Sequence, residues 1–216
     1  MNLLNVQQNS PEWLKARIGN VTGSRVVDVL SMLKSGKGST QKRKDYMVDL
    51  ITERLTGRAV EHYVTPSMEW GITTEPHARA AYEAITGNDV QLVGICAHPT
   101  IERYLDSPDG LVGEDGVVEF KCPNTATHID WLIDDVIPSE YMPQLLSHLA
   151  CSGRKWVDFM SFDPRLPPRD QYFIKRLERG DCLEKIAEME AGVIQFLADT
   201  DDLMRLLEEK AAKRNL

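Results

Sequence analysis

The chain has no clustered cysteines, no long apolar run and no surplus of basic charge, and each lack removes a class of protein. Cys96, Cys122, Cys151 and Cys182 stand far apart, without the paired spacing of zinc or iron–sulfur ligands, so they read as reduced structural thiols. No apolar stretch reaches the length of a membrane span, and the opening M-N-L-L-N-V-Q-Q-N has neither a basic region nor an apolar signal core. The expectation is a cytoplasmic protein with no membrane partner. Lys and Arg number 25 against 33 Asp and Glu, a formal net charge of −8. That is the wrong sign for a chain relying on non-specific attraction to phosphate. There is no internal repeat and no low-complexity tract apart from residues 34–44, K-S-G-K-G-S-T-Q-K-R-K, which carry five bases and no acid. The acidic excess lies elsewhere, including Asp199 to Asp202. What is present, 216 residues with 42% hydrophobic and 27% charged, suffices for a core and fits one domain over 1–216.

The stretch with most chemistry runs from Ser107 to Pro123, S-P-D-G-L-V-G-E-D-G-V-V-E-F-K-C-P. Gly113, Glu114, Asp115 and Gly116 are turn formers between apolar runs, so Asp109 and Glu119 should sit near each other on two strands of a hairpin. Alternation along the second strand puts Glu119 and Lys121 on one face and Val118, Phe120 and Cys122 on the other. A surface hairpin would also carry such charges. The apolar Val117, Val118 and Phe120 instead imply a strand buried on at least one face, where Glu and Lys are costly unless paired or metal-bound. Two carboxylates suit Mg2+, which takes oxygen ligands and substrate phosphate, and a lysine beside them suits the orienting of water or the stabilising of phosphate charge. The reading is phosphodiester hydrolysis.

Along the rest of the chain, Pro11 to Arg17 reads as a helix capped by Ser10, and a second helix after Thr22 presents Val26, Val27, Leu30 and Leu33. Thr22 or Ser24 would cap it. A helix over about Gln41 to Leu55 ends at Gly57, and another starts at Glu75, with Pro76 in its first turn, and stops at Gly87. Val90 to Cys96, Ile101 to Leu105, Trp156 to Phe162 and Tyr172 to Leu177 read as strands. Ser139 to Cys151 is helical, with Pro143 kinking it or starting its main segment. A long helical region from Asp181 to about Lys213 is interrupted near Asp199 to Asp202.

Pro-Asp followed by Glu-x-Lys is the core of the PD-(D/E)xK nuclease superfamily, and S-P-D-G with E-F-K-C-P resembles the phage lambda exonuclease family of viral recombinases. Further matches are Arg17 and Ser24, M-E-W-G with Glu75, Gln144, and F-D-P-R at Asp163 to Arg165, so the likeness spans about Trp13 to Leu177. The resemblance implies an α/β fold with a central mixed sheet flanked by helices, the restriction-endonuclease-like core. It implies Mg2+, or Mn2+, held by Asp109, Glu119 and the backbone carbonyl of Phe120, with Glu75 in support through water. Lys121 would assist the attacking water, and Arg17, Ser24 and Gln144 would position a 5′-phosphorylated DNA end. Met68 stands where the family places an apolar side chain at the terminal base pair, core packing being its other role. The implied activity is digestion of one strand of duplex DNA from the 5′ end, leaving a 3′ overhang for strand annealing. Also implied are a phage or prophage origin, action in the bacterial cytoplasm, a single-strand annealing partner and a homotrimeric ring, which would let an acidic chain hold DNA by enclosure. Many relatives carry Tyr where this chain has His148, and a lone helical histidine is more often structural, so His148 is left out of the expected site. Residues 34–44 are either a DNA contact or a solvated loop. An endonuclease of the same superfamily and a catalytically silent end-binding scaffold are the rival readings.

Overall fold

The computed structural model describes residues 2–33, 38–61 and 63–214. In chain order the elements are β1 (Asn2–Leu4), α1 (Pro11–Arg17), β2 (Val21–Thr22), α2 (Val26–Val29), α3 (Gln41–Thr56), α4 (Pro66–Thr86), β3 (Val90–Gln91), β4 (Ile95–Ala97), β5 (Tyr104–Asp106), β6 (Gly110–Val112), β7 (Gly116–Lys121), α5 (Thr125–Asp134), α6 (Met142–Ser152), β8 (Trp156–Phe162), β9 (Tyr172–Glu178) and α7 (Leu183–Arg214). The strands form two mixed sheets, ordered β1-β4-β5-β2 and β3-β6-β7-β8-β9. Among the described residues, β2 with β5 and β7 with β8 run parallel and the other strand pairs are antiparallel.

Most helix starts follow from their caps. Ser10 accepts from the Trp13 N–H, Thr40 from Arg43, Thr65 from Met68 and Asn124 from Thr127, each relieving one unbonded amide of a first turn. Pro143 falls in the first turn of α6, where its missing N–H does no harm, and so begins the segment instead of kinking it. The residues of α6 from Leu145 to Ser152 are all buried, and the helix packs against β7 and β8 of one sheet and β4 and β5 of the other. Around it lies the main core, including Val117, Phe159, Leu145, Leu149 and Phe196. A second core on the opposite face of β7 joins Val118 and Phe120 to Ala78 and Tyr82 of α4. Each such side chain taken from water contributes about 1.5–3 kcal/mol.

Four sequence expectations are corrected. The helix expected to start at Glu75 starts at Pro66, because Thr65 and Pro66 supply the cap and proline signal earlier and Thr74, Ala78 and Tyr82 bury one continuous stripe. Pro76 is therefore interior and leaves the Ile72 carbonyl without its helical partner. The strand expected over Val90 to Cys96 is two strands, β3 and β4, in different sheets. Gly94 lies between them with its Cα packed on the Val6 and Leu4 carbonyls. The helix after Thr22 is one turn long and buries Val26 and Val29, while Val27 and Leu33 are exposed. Thr22 makes no side-chain cap bond there. Finally, α7 passes through Asp199 to Asp202 unbroken: Arg43 holds Asp199, Arg54 holds Asp201 and Arg205 holds Asp202, so each acid is paired on the helix.

Candidate active site

The expected S-P-D-G hairpin forms. Gly110 pairs with Val118 and Val112 with Gly116, which sets Asp109 opposite Glu119. The Phe120 N–H donates to Asp109 Oδ2 at 2.7 Å, fixing the first carboxylate against the strand that carries the second. Glu119 lies almost wholly out of solvent, and each of its oxygens is bonded. Lys121 Nζ at 2.5 Å and Gln144 Nε2 at 2.7 Å donate to Oε1, and His148 Nε2 lies 2.8 Å from Oε2. Lys121 also lies over the Tyr141 ring, 5.0 Å from its centroid. Asp109, Glu119, Lys121 and Tyr141 line a cleft of about 600 Å³ together with Met68, Ile72, Glu75 and Trp131, while His148 lies behind Glu119, away from solvent. A second cleft of about 490 Å³, walled by Asn5 to Asn9 and Leu92 to Gly94, shares Ile72, Glu75 and Asp109 with it.

The electrostatics are unbalanced. Burial, then the negative charge of Glu119 and Glu75, pushes the Asp109 carboxyl well above the usual carboxylate range. Glu75 on α4 moves the same way, through burial and Glu119. Burial would raise Glu119 too, yet Lys121 and His148 hold it down to about 2. Lys121 is raised above its ordinary value by Glu119 and Asp109 in spite of burial. His148, which burial alone would lower, is pushed up to about 10 by Asp106 and Glu119.

Among the described residues no three carboxylate, imidazole or thiol groups close around a point as they would about an ion. The donor set nevertheless suits a hard divalent cation: Glu75, Asp109 and Glu119 offer only oxygen and repel one another, and a cation among them would remove that repulsion.

Arg17 is half-buried, 4.0 Å over the Trp13 ring, and donates from Nη1 to Ser107 Oγ at 3.3 Å, two residues before Asp109. Ser24 is exposed in the single turn Gly23–Arg25. Gln144 binds Glu119 directly. Met68 is 50% exposed and Ile72 58%, so Met68 lines the cleft and is not packed in the core. Residues 34–37 of the basic segment lie outside the described residues. Arg43 within it is neither a loop residue nor a free cation, being buried on Asp199 and the Val29 carbonyl. Lys42 and Lys44 are exposed.

Two features escaped the sequence reading. One is His148, fully buried between Glu119 and Asp106, with Nδ1 2.6 Å from Asp106 Oδ2. The other is the function of F-D-P-R. Buried Asp163 accepts twice from the Arg165 guanidinium, at 2.7 and 2.8 Å, and from Thr125 Oγ1 at 2.6 Å. Arg165 in turn reaches the Pro123 carbonyl and lies 4.3 Å over Trp70. The pair thus ties together α4, the exit of β7 and the start of α5, three segments of the cleft wall.

Residues 12–155 match the YqaJ-like viral recombinase domain. The chain belongs to that family. Two solved structures of LHK-Exo, an alkaline exonuclease from Laribacter hongkongensis, share 45% and 46% identity with it over 94% of this chain and 99% of theirs, with TM-scores of 0.86 and 0.85. The first was determined in complex with dAMP. A phage-related exonuclease from Haemophilus somnus 129PT shares the fold at 13% identity, with a TM-score of 0.66 over 87% of this chain and 96% of its own. No curated protein matches the chain. Among the described residues of this YqaJ-like protein, no helix is long and apolar enough to cross a membrane.

Proposed function

We propose that this YqaJ-like chain is a divalent-metal-dependent DNA exonuclease, digesting one strand of a duplex from its 5′-phosphorylated end and leaving a 3′ overhang for annealing. The observation that carries the reading is Asp109 opposite Glu119, with Lys121 and Gln144 both on the Glu119 carboxylate, at the floor of an open cleft. The likeness to LHK-Exo supports the exonuclease activity. Asp109, Glu119 and the Phe120 carbonyl would hold Mg2+ or Mn2+, with Glu75 in support through water. Such an ion polarises phosphate and lowers the pKa of water. Lys121, held 2.5 Å from Oε1, would present its ammonium to the phosphate and steady the charge developing there. Arg17 and Ser24 take the terminal 5′ phosphate: Arg17 is held on the Ser107 loop that leads to Asp109, so an anion bound there lies close to the acids. Met68 and Ile72 present apolar side chains to the terminal base pair. The annealing partner and the trimeric ring belong to this proposal, and the mass in solution tests the ring, a monomer counting against it.

The deciding experiment uses a linear duplex with a 5′ phosphate on one strand, each strand labelled differently, with Mg2+ and with EDTA. Selective Mg2+-dependent loss of the phosphorylated strand is the expected result. Internal cuts on both strands would make the chain an endonuclease, and an intact duplex would leave an end-binding scaffold.

A further inference from the structure

Ser147 and His148 are successive residues of α6, and both hold the same carboxylate: Ser147 Oγ donates to Asp106 Oδ1 at 3.1 Å and His148 Nδ1 lies 2.6 Å from Oδ2. His148 Nε2 then meets Glu119 Oε2 at 2.8 Å. Ser147 and His148 are 0% exposed, Asp106 1% and Glu119 2%. Two carboxylates bridged by one imidazole without water are a poor device for stability, because their desolvation consumes most of the attraction. What the arrangement does is fix direction. With Oε2 pinned by His148, Oε1 must face Lys121, Gln144 and the cleft. Asp106 ends β5 in one sheet, Glu119 lies on β7 in the other, and α6 packs on both.

The other end of this chain of bonds is as tightly seated. A Cβ built on Gly23 would lie 1.8 Å from Asp106 Oδ1 and 2.8 Å from Ser147 Oγ, so the turn Gly23–Arg25 rests directly on the Asp106 carboxylate with no room for a side chain. β2, which leads into that turn, pairs with β5 up to Leu105, beside Asp106. Ser24, assigned above to the 5′ phosphate, is the next residue.

We propose that Ser147, Asp106 and His148 are positioning residues that fix the rotamer of the Glu119 carboxylate and join it to the Gly23–Arg25 turn, so that the seat of the DNA end and the catalytic carboxylate move as one body. The role given to Glu119 rests on the nuclease reading. Groups of this outer kind set carboxylate orientation, and their loss typically costs 10–100-fold in metal affinity or activity.

The test measures Mn2+ binding by calorimetry without DNA, and kcat and KM on a 5′-phosphorylated duplex, for the wild type, His148→Ala, His148→Gln, Asp106→Asn and Gly23→Ala, with circular dichroism and Tm for each. His148→Ala is expected to bind Mn2+ about 10–100-fold more weakly and to lose kcat by a like factor, KM for DNA holding. His148→Gln, which can keep one N–H on Glu119, recovers most of both. If His148→Ala does not fold, Asp106→Asn and His148→Gln decide in the same terms, Asp106→Asn showing the loss. Folded His148→Ala or Asp106→Asn with wild-type Mn2+ affinity and kcat would overturn the relay, as would activity falling only with the folded fraction while Mn2+ binding stays unchanged. Gly23→Ala is expected to lower kcat at least tenfold by pushing Asp106; full kcat in that variant overturns the link to the turn. A wild type that binds Mn2+ but leaves the duplex intact defeats the nuclease reading, and calorimetry still judges the relay. Variants indistinguishable from an active wild type defeat the relay alone.

Discussion

Two buried acids lie on neighbouring parallel strands of one sheet, Glu119 on β7 and Asp158 on β8, pointing to opposite faces. Asp158 is closed. Arg176 grips it with two bonds of 2.7 and 2.8 Å, the Tyr82 hydroxyl donates a third at 2.7 Å, and the Arg176 guanidinium is stacked 3.5 Å over Trp156. One negative charge meets one positive charge, beneath α4. Glu119 lies in a group that does not balance: Asp106, Asp109 and Glu75 surround it, against Lys121 and His148 as cations, and the group opens on a cleft. Both acids obey the rule that a buried carboxylate must be bonded. The difference is that the Asp158 cluster is complete within the chain, whereas the Glu119 cluster holds more carboxyl groups than cations, with Asp109 and Glu75 disfavoured as anions, and faces a space that a cation and a phosphate could enter. Unmatched carboxyl groups at an opening mark the site better than burial does.

Breaking each cluster at its cation should separate them. Lys121→Ala is expected to lower the rate of strand digestion by about 10²–10³-fold, the effect of losing one preorganised electrostatic group, while duplex-end binding measured in EDTA is kept. Loss of end binding in its place would move Lys121 from chemistry to substrate binding. Arg176→Ala should do the reverse. It leaves Asp158 with Tyr82 alone and costs about 2 kcal/mol, the scale of hydrogen bonds to a charged group. For a chain of this size that is a fall of about 4–8 °C in Tm, read by calorimetry. Digestion per folded molecule should not change, and a matching loss of activity would merge the two clusters into one.

The sequence made one of these clusters legible and hid the other. The hairpin could be read because a short turn fixes its register and a strand's period of two fixes its faces, so Asp109, Glu119 and Lys121 fell where expected. Asp158 and Arg176 gave no signal, since a single acid and a single base on separate strands become a pair only when β8 and β9 align. Glu75 lines the same cleft as Asp109 and Glu119 but stands on a misread helix, because proline signals a helix start wherever it stands and only the buried stripe on α4 shows that Pro76 is interior. His148 was readable in principle: L-L-S-H-L-A-C puts two adjacent polar residues inside an otherwise apolar helical run, the pattern of a polar network buried in a core. The partner that gives it meaning, Asp106, is 42 residues away. Asp199 to Asp202 misled for the opposite reason, their local preference for turns being overridden by Arg43, Arg54 and Arg205.

The finest test of the contrast is Tyr82→Phe. It removes one hydroxyl from Asp158 and keeps the ring, which packs edge-on to Phe120 with centroids 5.9 Å apart, and Phe120 is the residue whose N–H holds Asp109. Burial, then the bond to Asp158, pushes the phenol above its ordinary pKa, so Tyr82 is a neutral donor at working pH and its loss changes no charge. Asp158 keeps both bonds from Arg176. The expected cost is therefore at the low end for one hydrogen bond to a charged group, about 1.5 kcal/mol, or a fall of about 3–6 °C in Tm. Digestion rate and Mg2+ dependence should match the wild type, because the ring that supports Phe120 is still in place. A drop in rate without a drop in Tm would show that the closed cluster is felt across β7 by the open one, and that the two acids act on each other in spite of facing opposite sides of the sheet.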